Sequence, residues 1–278
     1  MVSFPLGARN RLRNIPRYRR SALAACGLLL AGVSLLEAQR GRRFSQEEYT
    51  PPPPDANEET EYYFARLAYQ SSGWGRRWGG SSWMIDSPKA ERQFLQGVRR
   101  LTAIHTNSAE RYVRPLDASL FDYPWIYAVE VGYWTLNNEE AARMREYLLR
   151  GGFLMVDDFH GADQWAGFLE SIERVFPDRP IVELESADQV FHVLYNVDRT
   201  VQVPGIQYLR SGSTYERDGV DPHWRGIYDD KGRLMVVINF NMDLGDAWEW
   251  ADLPEYPEHW TALAYRFGIN YIIYAMTH

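Results

Sequence analysis

Two apolar runs flanking one amphipathic segment constrain this chain more than any other feature. Trp125, Ile126, Tyr127, Ala128, Val129, Glu130 and Val131 form a nearly continuous apolar run. Such a run is what a strand covered on both faces of a parallel sheet requires. Asn137 followed by Glu140 is a capping box in its Asn variant. It opens a helix whose inner face is Ala141, Met144, Tyr147 and Leu148. Gly151-Gly152 ends that helix through a left-handed cap. Residues 153–156 come next as a second buried strand, which runs into Asp157-Asp158. Two parallel strands joined by a helix need a right-handed crossover. That unit commits the chain to a layered α/β architecture.

The flanking segments fit the same plan. Residues 62–69 form an aromatic-rich strand. Ser87-Pro88 begins a helix with Pro at the first helical position, and Ala90, Phe94, Val98 and Leu101 share its face. Residues 103–105 read as a second short strand. Trp165, Phe168, Ile172 and Val175 share another helical face, closed by Pro177. Residues 225–240 form an antiparallel hairpin around Asp229-Asp230-Lys231-Gly232, where Gly232 takes a positive φ. The last helix, residues 258–276, is apolar on most sides, but Arg266 and Asn270 interrupt it. It is therefore a packed helix and not a membrane span. The expected fold is an α/β three-layer sandwich, with a mainly parallel sheet of amidotransferase or flavodoxin type and an antiparallel hairpin extension.

Charge divides the chain unevenly. Residues 1–43 carry nine Arg and one acid, a net of +8 in a chain whose total is −7, so residues 44–278 carry −15. An acidic body of this kind does not suit nucleic acid or an anionic membrane. Six Arg between Arg9 and Arg20 precede a 15-residue apolar stretch, residues 22–36. That is the length of a secretory h-region and short for a bilayer span. Residues 1–38 are thus an export signal or a short membrane anchor, and the membrane is met only there. Residues 39–61 are a Pro-rich acidic linker, and residues 62–278 are the folded domain. Cys26 is the single cysteine. This excludes a disulfide framework, a Cys-based zinc site and an iron–sulfur cluster. It also suits an exported bacterial protein of the periplasm or cell envelope.

The run Gly151-Gly152-Phe153-Leu154-Met155-Val156-Asp157-Asp158-Phe159 resembles the central motif of the domain of unknown function 4159 family. Phe64 to Tyr69, Tyr123-Pro124, Phe176-Pro177 and Phe191-His192 match further pieces in family order. So do Asn239-Phe240 with Asp243 and Gly245, and Phe267-Gly268-Ile269-Asn270 with Tyr274-Ala275. The resemblance spans nearly all of residues 62–278. It implies a fold similar to class I glutamine amidotransferases and trehalose-utilisation proteins, an exported bacterial setting and no established activity. In amidotransferases of this kind the nucleophile is a Cys on the turn after the strand matching residues 153–156. Here that turn holds Asp157, Asp158, Phe159 and His160, and the body has no Cys. Cys-type glutaminase chemistry is excluded on residue type alone.

Ligands of open α/β sheets bind beyond the carboxyl ends of the strands. That rule singles out Asp157, Asp158 and His160, as divalent-metal ligands or as a general base. Asp163, His192, Asp243 and Asp246 are remote partners near other strand ends. The competing structural reading has the two Asp bonding turn N–H groups and capping the next helix. The Gly-rich loop with Arg76, Arg77, Ser81 and Ser82 could form an anion nest. Trp248, with Trp250, Tyr256 and Trp260 beside Asp243 and Asp246, suits stacking on a sugar or packing in the core. Asp218, Asp221 and His223 read as a solvated loop.

These residues leave three functions open. The first is a module that binds a polar small molecule, glycan or envelope protein. The second is a metal-assisted hydrolase of a glycan or envelope polymer built on Asp157, Asp158 and His160. The third is a structural interaction module. The only cofactor they suggest is a divalent metal.

Overall fold

A computed structural model describes residues 51–72, 82–197 and 201–278. The export segment, the first part of the linker, Arg76, Arg77 and Ser81 lie outside the described residues. In chain order the elements are β1 (Ala65–Leu67), β2 (Gln70–Ser71), α1 (Lys89–Leu101), β3 (Arg111–Val113) and β4 (Trp125–Val129). Next come β5 (Trp134–Thr135), α2 (Asn138–Leu149), β6 (Phe153–Asp157), α3 (Gly161–Val175) and β7 (Val182–Glu183). The last are α4 (Tyr208–Ser211), β8 (His223–Tyr228), β9 (Leu234–Phe240), α5 (Leu244–Glu249) and α6 (Glu258–Thr277).

Seven strands form one sheet in the order β3-β1-β4-β6-β9-β8-β7. The five from β3 to β9 run parallel, and β8 and β7 add the antiparallel end. The expected βαβ unit is β4-α2-β6, with Ile126 opposite Leu154 and Val129 opposite Asp157. Every residue of β4, β6 and β9 is buried. Alternate side chains serve opposite faces, as a period of two demands. Trp125, Tyr127, Phe153, Met155 and Val237 pack with α1, α5 and α6. Ile126, Ala128, Leu154, Val156 and Ile238 pack with α2 and α3. The result is the three-layer arrangement.

Local signals land where expected in the centre. Asn137 Oδ1 accepts from the N–H of Glu139 and Glu140, and Glu140 returns a bond to the N–H of Asn137 at 2.9 Å. Gly151 takes a φ of +115° after α2, and Gly232 takes +80° in the β8–β9 turn. The hairpin is more than an extension, because β9 is an inner strand, parallel to β6 on its other side.

Three readings need correcting. No strand covers residues 103–105: Ile104 N–H bonds Thr102 Oγ1 and His105 N–H bonds Glu61, so neither serves a ladder. The neighbour of β1 is β3 instead, and Thr106 only bridges to Tyr62. Pro88 is the N-cap of α1, one residue before its expected place. Leu101 is 51% exposed, because α1 ends there and Thr102 is already extended. Asn270, which interrupts the apolar last helix, is fully buried. Its Oδ1 accepts from Leu194 and Tyr195 N–H, and its Nδ2 donates to Tyr195 carbonyl, so it fastens the 192–197 loop onto α6. The two-stranded β2–β5 pair had no sequence signal.

Residues 55–61, the end of the expected linker, are bonded to the body. Asp55 accepts from Ser108 and pairs with Arg99, and Glu58 carbonyl accepts from Asn107. Among the described residues, no helix is long and apolar enough to cross a membrane.

Replacing the fully buried Asn270 with Ala leaves two part-buried N–H donors without their partner. An unsatisfied buried donor costs about 1–3 kcal/mol, and 1 kcal/mol moves Tm by about 2–4 °C in a body of this size. Asn270→Ala should therefore lower the midpoint by about 5 °C or more in a thermal melt. An unchanged midpoint would remove Asn270 from the framework.

Candidate functional site at the carboxyl edge of the sheet

Three inner strands end side by side and deliver acids to one edge. β4 hands the chain to Glu130, which turns left-handed at a φ of 52°. β6 ends in Asp157 and passes to Asp158, also left-handed at 50°. β9 leads through Asn241 to Asp243, the N-cap of α5, and to Asp246 in its first turn. Non-glycine residues seldom adopt positive φ, and such strain collects at functional sites.

The adjacent carboxylates at 157 and 158 do different things. Asp157 is fully buried. Its Oδ2 accepts from Leu244 N–H at 2.9 Å, Gly245 N–H at 3.0 Å and Tyr127 hydroxyl at 3.1 Å. It therefore holds the start of α5, not of the next helix in sequence. The left-handed step turns Asp158 elsewhere, and its Oδ1 lies 3.1 Å from His160 Nε2. His160 is buried, with Nδ1 bonded to nothing among the described residues. Burial, with Arg217 nearby, pushes its imidazole down to about 3, so the ring is neutral at physiological pH. A neutral imidazole is the form that ligates metals.

Around Asp158 the ligand-type atoms gather in overlapping sets. Asp158, His160 and Glu216 each offer an atom within 4.8 Å of the others, and so do Asp86, Asp158 and Asp243. A third set of the same kind is Asp86, Asp246 and Glu249. Asp158 belongs to the first two sets and Asp86 to the last two, so the three form one continuous acidic seam.

The supports of the seam are specific. Arg66, fully buried, pairs with Glu91 and donates to the carbonyls of Trp83 and Ile85 at 2.9 and 2.8 Å. It thereby fixes the segment that presents Asp86, whose Oδ2 is buried without a partner among the described residues. Gln164 accepts from the N–H of His160 and donates to Glu130 at 3.2 Å. Asp246 accepts from Ile206 N–H and Trp250 Nε1.

Burial comes first among the causes that raise these carboxyls. Asp157 stands at about 7 despite its three bonds, and Glu130 at about 7. Glu249 stands at about 8. Asp86, Asp158 and Asp243 are pushed well up, by burial and then by one another and their acidic neighbours. Like charges removed from water repel, so protons or a cation must share the space.

The other expected residues go elsewhere. His192 bonds Asn196 and Ser186 carbonyl and joins none of the three sets. Asp163 is exposed in the first turn of α3. Ser82 bonds Ser71 and Tyr69 hydroxyls, beneath the turn at Glu130. Trp248 is fully buried against Phe94, Phe64 and Tyr127, with no face toward solvent. Asp218 caps α3 through Ala162 N–H, and His223 pairs with Glu183. Sequence reasoning passed over Asp86, Glu130, Glu216 and Glu249. Of these only Glu130 carried a signal, as the single charged residue inside the run at 125–131.

One family model, described as Domain of unknown function (DUF4159), matches residues 63–276. No curated protein matches the chain.

The raised carboxyls fix a sign for pH. A group whose folded value exceeds its unfolded one makes the folded chain bind more protons. For Asp157, Glu130 and Glu249 that window runs from about pH 4 to about pH 8. Within it stability falls as pH rises. The chelator-treated protein should melt higher near pH 5 than near pH 8. A flat or inverted profile would mean that the seam is not charge-strained.

Proposed function

We propose that this chain, which belongs to the DUF4159 family, is a divalent-cation-dependent hydrolase acting at the carboxyl edge of its sheet. The observation that carries this reading is that Asp158 is common to two donor sets, one with His160 and Glu216, the other with Asp86 and Asp243. Carboxylate oxygens with one imidazole suit magnesium, manganese or zinc. A carboxylate common to two sets is the arrangement that two-ion hydrolytic sites use. A bound cation would neutralise the buried acids and lower the pKa of a coordinated water.

The residues then have distinct parts. Asp158, His160 and Glu216 hold one ion, and Asp86 and Asp243 complete the second set. Neutral His160 carries a lone pair on one ring nitrogen, and its Nε2 lies 3.1 Å from Asp158 Oδ1. Asp157 is a structural residue that anchors α5, and Arg66 positions Asp86. The composition of residues 1–38 supports work outside the cytoplasm, on an envelope substrate. The burial of Trp248 leaves little support for a sugar-stacking platform there.

A cation at about 100 times its dissociation constant adds about 2.7 kcal/mol, or roughly 5–10 °C in this body. Manganese added to the chelated protein should raise the midpoint by that much. Asp158→Asn should abolish the gain, and Asp163→Asn, in an exposed position, should keep it. Indifference to magnesium, manganese, calcium and zinc alike would sink the proposal. Cation binding without hydrolysis of any phosphoester, ester or glycan panel would leave a binding module instead.

A further inference from the structure

We infer that the substrate presents an oxyanion, a phosphoryl or carboxylate group, to this site and that Arg217 determines that preference. The inference rests on the cation reading above and extends it to substrate class.

Arg217 directly follows Glu216, one of the donors grouped with Asp158 and His160. Its backbone is left-handed, with a φ of 52°. Non-glycine residues seldom adopt that conformation, so the surroundings must enforce it. They do so from both sides. Glu216 carbonyl accepts from Gly219 N–H at 2.9 Å. Asp218 holds Ala162 N–H, at the start of α3, through both oxygens at 3.2 and 3.3 Å. The segment that carries Arg217 is thus pinned to the helix that begins beside His160.

The guanidinium is aimed but not spent. Its Nη2 donates to Tyr133 hydroxyl at 2.7 Å. Although Glu130 and Glu216 lie within reach of its charge, it forms no ion pair among the described residues. Among the described residues, Arg66, whose charge also reaches the seam at Asp86, is committed to Glu91. Its Cβ lies against Gly161, the residue after His160, and its guanidinium reaches Tyr133, three residues past Glu130, which places the side chain beside the donor set. The residue is exposed, so a ligand can reach it.

An arginine placed only to neutralise the acids would close a carboxylate pair, since that bond is short and strong. A guanidinium left open beside carboxylate-held cations is a second positive wall. Its fork matches the two oxygens of a phosphoryl or carboxylate group. A neutral sugar ring makes no use of it.

The test uses the full chain loaded with manganese, with calorimetric titration of inorganic phosphate and, separately, of acetate. We expect one of them to bind the manganese form, and the stronger of the two names the source. Arg217→Met should weaken that anion about tenfold or more, with manganese affinity unchanged within about threefold. Arg217→Lys, which keeps the charge but not the fork, should fall between them. Manganese binding with no anion response in the unaltered chain would overturn this inference and leave the cation reading intact. Equal losses of manganese and anion in Arg217→Met would make Arg217 a structural residue and overturn it too. Failure of manganese to bind at all would remove both readings.

Discussion

The parallel pairing of β4, β6 and β9, buried on both faces, governs everything at the carboxyl edge. Parallel strands point their carboxyl ends the same way, so the residues just beyond each strand must share one crevice. At or within a few residues of all three ends the chain carries acids: Glu130, Asp157 with Asp158, and Asp243 with Asp246. The sheet that makes the core stable is thus also what crowds the charges. Burial, and then that crowding, raises the carboxyls, while burial with Arg217 nearby keeps the imidazole of His160 neutral.

The fold handles that crowding by dividing labour. Asp157 satisfies two backbone N–H groups and a tyrosine hydroxyl, as a buried carboxylate must. Among the described residues, the Asp158 carboxylate lies within bonding distance of His160 alone. A change in backbone hand between neighbouring residues separates the two roles. Arg66 and Glu91, both fully buried, act one step back, by fixing the segment that carries Asp86. Removal of one member of such a pair strands the other, which makes it a positioning device more than a source of net stability.

The aromatic content has a plainer origin than its abundance suggests. Phe64, Phe94, Trp125, Tyr127 and Trp248 form one edge-to-face and tilted cluster beneath α1 and α5. Their polar atoms are not all used: Trp125 and Trp248 leave Nε1 without a partner among the described residues. The cluster is the floor on which the Asp157 anchor and α5 rest.

Much of this was legible in the residues alone. The β4-α2-β6 unit, the Asn137 capping box, the positive φ of Gly151 and Gly232 and the acidic turn after residue 156 are local. Apolar runs, caps and turns act through hydrogen bonds and packing a few residues apart. The resemblance carried by residues 151–159 belongs to the same stretch. The missing cysteine excluded one chemistry outright. Convergence was not legible. Asp86, Glu216 and Glu249 reach Asp158 and its neighbours only because Arg66 pins one loop, Asp218 pins another and β9 enters the sheet beside β6. Those are long-range choices with no periodic trace. Which of two adjacent aspartates faces the donors was settled by one left-handed backbone step at Asp158, held in place by tertiary packing and not by its residue type.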